Sequence, residues 1–204
     1  MNYLQMKKKA MLNYVSGGRL PSEYQEVEWI ESTGTQYIVT DSYAFSGLKI
    51  VFDIIRNIAT SGTEVFINII SNTGYWLGFA NNQIRLDSGI LPTNIFERHT
   101  YTVTYRRPST LEDDLGNSAT FGVQTTFNPD TNLSIFAIHT GGYKSKVRVY
   151  SMKFYDTTNN DELVRDLVPC YRKADNKTGL YDLVNSTFFA NNGTGEFLVG
   201  NDVN

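Results

Sequence analysis

A single cysteine, Cys170, stands in 204 residues, so no internal disulfide can form and a cysteine-rich metal site is excluded. Its neighbours in sequence are apolar or aromatic, which suits a buried thiol packing as a small hydrophobe. Histidine is almost as scarce. His99 and His139 are the only two, and neither has a nucleophile or ligand partner at a useful spacing. Ser-His-Asp and Cys-His chemistry therefore finds no support. Net charge is small, −3 with an isoelectric point near 5.4, which gives no general attraction to phosphate backbones, so nucleic acid is not an expected partner. Long hydrophobic runs are missing too, and nothing approaches the ~20 apolar residues of a membrane span. After Lys7, Lys8 and Lys9 the apolar run is about six residues and is broken by Asn13, short of the roughly 7–15 of a secretory signal. If the chain works outside the producing cell, the expected exit is by lysis or on a particle.

What is plentiful is aromatic and turn-forming: 13 Tyr, 12 Phe and 16 Gly, with only 19% charged residues. Aromatic and β-branched side chains suit pleated surfaces, and glycine supplies the turns between them. From Tyr24 onward the apolar period is two. Leu48, Ile50, Phe52 and Ile54 alternate with Lys49, Val51, Asp53 and Ile55. The same pattern recurs at Val65, Ile67 and Ile69, at Tyr101, Val103 and Tyr105, and at Val147, Val149, Met152 and Phe154. Turn signals such as Ser61-Gly62, Asn81-Asn82, Gly116-Asn117 and Gly141-Gly142 punctuate these runs. The expected fold is all-β: a two-sheet antiparallel sandwich over residues 19–204, preceded by a short helical arm and linker over residues 1–18. In that arm Leu4, Met11, Leu12 and Val15 fall on one helical stripe, which needs a partner to pack on and marks a docking or homo-oligomerisation surface.

Near the C-terminus, Leu163-Val-Arg-Asp-Leu-Val-Pro-Cys-Tyr-Arg172 reads as a strand ended by Pro169. It is followed by a polar turn and by Gly179-Leu-Tyr-Asp-Leu-Val-Asn185. Together with Leu20-Pro-Ser-Glu-Tyr-Gln-Glu-Val-Glu-Trp-Ile-Glu-Ser-Thr-Gly-Thr-Gln-Tyr-Ile38, this segment resembles the concanavalin A-like (LamG-type) jelly-roll domains of gut bacteria and their phages. The resemblance covers residues 20–200 and implies a jelly-roll sandwich whose first and last strands are neighbours. The Lys-rich start also looks like that of phage-borne members. Many such domains bind glycans or serve as structural or adhesive modules, and a minority of the wider superfamily are glycosidases. An independent reason brings the ends together: Val27–Trp29 and Phe197–Val199 are short β-prone runs, and pairing them hides two open edges.

Several constellations are candidates for chemistry. Glu26-Val-Glu28-Trp-Ile-Glu31 is similar to the E-x-D-x-x-E signature of laminarinase-type glycosidases on this fold, where two carboxylates about 5–5.5 Å apart would serve as nucleophile and acid/base. Glu28 replaces the central Asp, however, and the motif lies in the first strand rather than mid-chain, so the expectation is no catalytic residue and no enzyme. Trp29 is expected in the core. Tyr75 and Trp76, with Asn81 and Asn82, form the best candidate aromatic platform for a sugar, and Tyr143 beside Gly141-Gly142 is a second. No cofactor is expected. Oxygen donors at Glu112, Asp113, Asp114 and Asn117, and at Asp130 and Asn132, leave room for a structural calcium without matching a known loop. The sequence reading is thus a non-catalytic jelly-roll module of a phage virion or cell-surface assembly, docked to other assembly proteins and displaying a sandwich to host polysaccharide. The alternatives are a purely structural decoration or oligomerisation protein and, last, a laminarinase-like hydrolase.

Overall fold

The computed structural model describes residues 18–42, 47–69, 76–86, 89–105, 108–122, 132–138 and 140–204. The expected arm, with Leu4, Met11, Leu12 and Val15, lies outside them, as do Tyr75, Asp130 and His139. The described residues form strands and turns without a helix. In chain order the strands are β1 (Tyr24–Glu26), β2 (Ile30–Glu31), β3 (Ile38–Ser42), β4 (Leu48–Ile55), β5 (Thr63–Asn68) and β6 (Trp76–Ala80). They continue as β7 (Gln83–Leu86), β8 (Gly89–Leu91), β9 (His99–Tyr105), β10 (Ser109–Asp113), β11 (Ser118–Phe121) and β12 (Asn132–Ile135). The last five are β13 (Arg148–Asp156), β14 (Glu162–Arg172), β15 (Lys177–Asp182), β16 (Thr187–Ala190) and β17 (Leu198–Val199).

Two antiparallel sheets result. The larger runs β11-β10-β9-β4-β13-β14-β15-β16 with β1, β2 and β17 attached, and the smaller runs β3-β12-β5-β6-β7-β8. The period-two reading of β4 is reproduced: Leu48, Ile50, Phe52 and Ile54 are buried and their alternates half-buried. A row of rings joins the sheets. Phe52 of the larger sheet lies 5.4 Å from Phe66 of the smaller, which meets Phe79 at 6.3 Å and Phe136 at 5.8 Å; Phe136 in turn meets Phe197 at 5.1 Å. Burying each such ring contributes about 1.5–3 kcal/mol, so this row is the main adhesive between the layers.

The chain ends meet, with a register longer than expected. Leu198 and Val199 pair with Glu31 and Ile30, and Asp202 bridges Val27. Pro169 does not end its strand. Strand β14 continues through it to Arg172, with Pro169 opposite Leu180. Its carbonyl accepts from the Val27 N–H at 3.1 Å, so the edge that lacks a donor is the one facing β1, beyond the last β13 pair at Met152–Leu167. A proline is tolerated there because it keeps its acceptor role and its missing donor falls just past the end of the β1 pairing at Glu26–Cys170. Cys170 is fully buried in a small outer cluster with Val168 and Tyr181, and burial pushes its thiol up to about 12.

The charged residues of the closing segment act as pins. Arg165 pairs with Asp41 and, at 3.4 Å, with Asp182, so one side chain ties β14 to β3 and to β15. Asp182 also accepts from the Asp166 and Val184 amides, and Arg172 closes a turn on Asp175 at 2.7 Å.

Candidate functional site

Strand β1 is antiparallel to β14, β2 is antiparallel to β13, and β13 and β14 are antiparallel to each other. The chain must therefore reverse between Glu26 and Ile30, and it does so as a wedge between the ends of β13 and β14. Val27 and Ile30 both point into the core at 2% and 0% exposure. The residues between and beside them are turned out, which gives Glu26, Trp29 and Glu31 the same outer side. Trp29 is thus half-buried on the outer face rather than in the core. Gly200 passes so close that a Cβ there would lie 2.7 Å from the Trp29 Nε1. The wedge leaves no inward position at 29, because Val27 and Ile30 already fill it.

A second irregularity faces the wedge. The pairing of β13 with β4 shifts register between Val149 and Ser151, a β-bulge that presents Tyr150 and Ser151 together on the outer face. Bulges re-aim side chains in this way. Wedge and bulge enclose a groove of about 480 Å³, floored by Tyr150, Ser151 and Trp29 and rimmed by Arg19, Glu26, Glu28, Asp53 and Arg98, with Val203 at one end.

Its electrostatics are built from cation–carboxylate pairs laid over rings. Arg98 forks onto Asp53 at 2.9 and 2.6 Å while its guanidinium carbon lies 3.6 Å from the Tyr150 ring centre. The hydrogen bond to Asp53 raises the Arg98 pKa further. Arg148 repeats the arrangement, 2.8 Å from Glu31 and 3.6 Å from the centre of the Trp29 ring. Planar guanidinium groups favour such stacked, forked geometry. Arg19 forks onto Glu26. Glu28 differs: it accepts only from Asn201, through the backbone N–H at 3.3 Å and the side-chain amide at 3.1 Å. Beneath the wedge Asp166 is 9% exposed and 3.8 Å from Lys153. Burial lifts its carboxyl above the usual range, against the pull of Lys153 and Arg19 and with the help of Asp182 and Glu26.

The residues singled out as a sugar platform are not brought together. Trp76 opens β6 opposite Asn68, while Asn81 and Asn82 form the two-residue turn after its other end, with φ of 50° and 61°. The intervening strand separates them by about 13–16 Å at ~3.3 Å per residue. Positive φ at both turn positions is what asparagine supplies in a tight hairpin. Tyr143 is 63% exposed, and its carbonyl accepts from Val65 on the side of β5 away from β6. None of these residues lines the groove.

Acidic loop residues are likewise spent locally. Asp113 accepts from the Leu115 and Asn117 amides and the Asn117 side chain, which hold its carboxyl low against the effect of burial. Asp114 pairs with buried His99 at 2.8 Å. Among the described residues no group of three or more His, Cys, Asp or Glu is placed to hold a metal. The groove itself was missed at the sequence level. Asp53 was legible as an outward residue of β4, but nothing in the text of the chain places Arg98, Arg148 and the Tyr150 bulge beside it.

No protein-family model and no curated protein matches the chain. Solved structures do. A Trypanosoma rangeli sialidase in complex with the inhibitor DANA has a TM-score of 0.47 at 13% identity, covering 75% of this chain and 36% of that one. The same organism's sialidase in complex with 2,3-difluoro-KDN has a TM-score of 0.43 at 18% identity over 54% of this chain and 20% of that one. A receptor-binding domain has a TM-score of 0.43 at 10% identity over 64% and 41%. The chain thus spans a fifth to two fifths of these proteins' lengths. Of the LamG resemblance the two-sheet sandwich stands, without a matching family model. One expectation is corrected: that of a non-enzyme. Sialidases are among the solved structures to which the chain is similar, and that assignment is withdrawn.

Proposed function

We propose that the chain is a glycan-recognising sandwich of a phage virion or cell-surface assembly, docked through residues 1–18 and binding host polysaccharide in the groove between wedge and bulge. The observation that carries this reading is the groove: about 480 Å³, with two aromatic rings in its floor and fixed carboxylate and guanidinium groups on its rim. Guanidinium groups lie over both rings, so what the groove offers a sugar is a set of oriented donors and acceptors for its hydroxyls. Pairing the guanidinium groups in advance holds these polar atoms in place, so a ligand meets them without reorganisation.

Binding of the full chain to an array of bacterial surface polysaccharides tests the glycan reading. Retention by at least one, lost in Tyr150→Ala with the fold intact by circular dichroism, is the expected result. Retention unchanged in Tyr150→Ala and abolished in Tyr143→Ala would move the site to the smaller sheet. Co-purification with particles, lost on deleting residues 1–18, tests the docking.

A further inference from the structure

The charge inventory of the groove selects among sugars, an inference that rests on the glycan reading. Among the described residues each cation at or beside the groove already holds a carboxylate: Arg19 holds Glu26, Arg98 holds Asp53, Arg148 holds Glu31 and Lys153 holds Asp166. The Arg98 fork occupies both Asp53 oxygens while its face lies on Tyr150, so an incoming carboxylate would have to displace Asp53 from a two-bond geometry. Glu28 is the carboxylate left over. It is exposed, lines the groove, and among the described residues has no cation within ion-pair distance; its bonds come from the neutral Asn201.

We infer that the groove is selective for amino sugars: it prefers a ligand carrying a protonated amine over its neutral counterpart, and disfavours uronic or otherwise anionic sugars. An ammonium group completes Glu28 and adds a hydrogen bond, a neutral hydroxyl can use the same oxygen more weakly, and an anion meets a surplus negative charge with every guanidinium committed. Because Glu28 is exposed the preference is modest, about fivefold for one amine at physiological salt. It grows as ionic strength falls, because the pair is screened by salt.

The test uses the full chain and an array on which the same oligosaccharide backbones appear in neutral, de-N-acetylated amino and uronate forms. Dissociation constants are then measured for the bound backbones at pH 6.5 and two salt concentrations. The expected result is binding of amino, neutral and uronate forms in falling order of affinity. Glu28→Gln, which retains an oxygen for Asn201, should bring the amino-to-neutral ratio to one and remove its salt dependence. Uronates binding as tightly as neutral forms would overturn the charge inference and leave the glycan reading standing. A ratio unchanged in Glu28→Gln would also overturn it. Binding of no sugar of any charge would overturn the glycan reading itself.

Discussion

The guanidinium of Arg98 lies flat on Tyr150, 3.6 Å from the ring centre, and forks onto Asp53 across the strand. The stack depends on the bulge that turns Tyr150 outward, so a strand irregularity and an ion pair together shape the groove floor. Exposed stacks of this kind contribute about 0.5–1 kcal/mol. Tyr150→Ala should therefore lower stability by about 1 kcal/mol while removing ligand binding. Urea denaturation and a binding isotherm on the same sample separate the two effects.

Gly200 threads the C-terminal segment past Trp29 with no space for a side chain. Gly200→Ala forces the indole or the terminal segment to move. Overpacking of this sort costs about 1–3 kcal/mol. The expected signs are a lower melting temperature and a shift in tryptophan fluorescence; a wild-type melt would contradict the packing.

Asp166 is a carboxyl held high by burial. Such a group favours the folded state while it is protonated in both states, and that contribution is lost as pH rises through its folded pKa. At pH 7 the ionised form is penalised, so Asp166→Asn should raise the melting temperature there. The gain should shrink as pH falls toward the ordinary carboxylate range. Melting curves of both proteins between pH 3.5 and 7 check the sign.

Burial pushes the Cys170 thiol up to about 12 and closes it from solvent. A disulfide reagent at pH 8 should leave the native protein untouched and react with one thiol per chain once guanidinium unfolds it. Rapid reaction of the native form would place Cys170 at the surface.

Phe66 sits at the junction of three other rings, Phe52, Phe79 and Phe136. Phe66→Ala should cost about 3–5 kcal/mol by denaturant unfolding. A loss below ~1 kcal/mol would mean that the two sheets are held by something else.

Much of the sandwich was legible because one face of each strand is buried and the other is not. Leu48 to Ile55 shows the point: the alternation alone assigns four side chains inward, and the structure agrees. Breaks in the alternation were not legible. Trp29 reads as core on pattern, yet a reversal imposed by β13 and β14 turns it out. Pro169 reads as a stop, yet its missing donor falls at the end of the β1 pairing while its carbonyl still accepts the Val27 N–H. Trp76, Asn81 and Asn82 are close in sequence, but a strand spreads its residues along its length, and the two ends of β6 cannot share a sugar ring. The groove joins residues from positions 19 to 203, through strand neighbours that only the finished sheet defines.

The two tryptophans allow a direct test of where a sugar sits, because Trp29 is in the groove and Trp76 is in the other sheet. Their indole N–H signals can be followed by NMR, assigned with Trp29→Phe, during titration with an oligosaccharide retained on the array. The groove account predicts that the Trp29 signal moves and the Trp76 signal stays. Movement of Trp76 alone, with Trp29 unchanged at saturation, would contradict it.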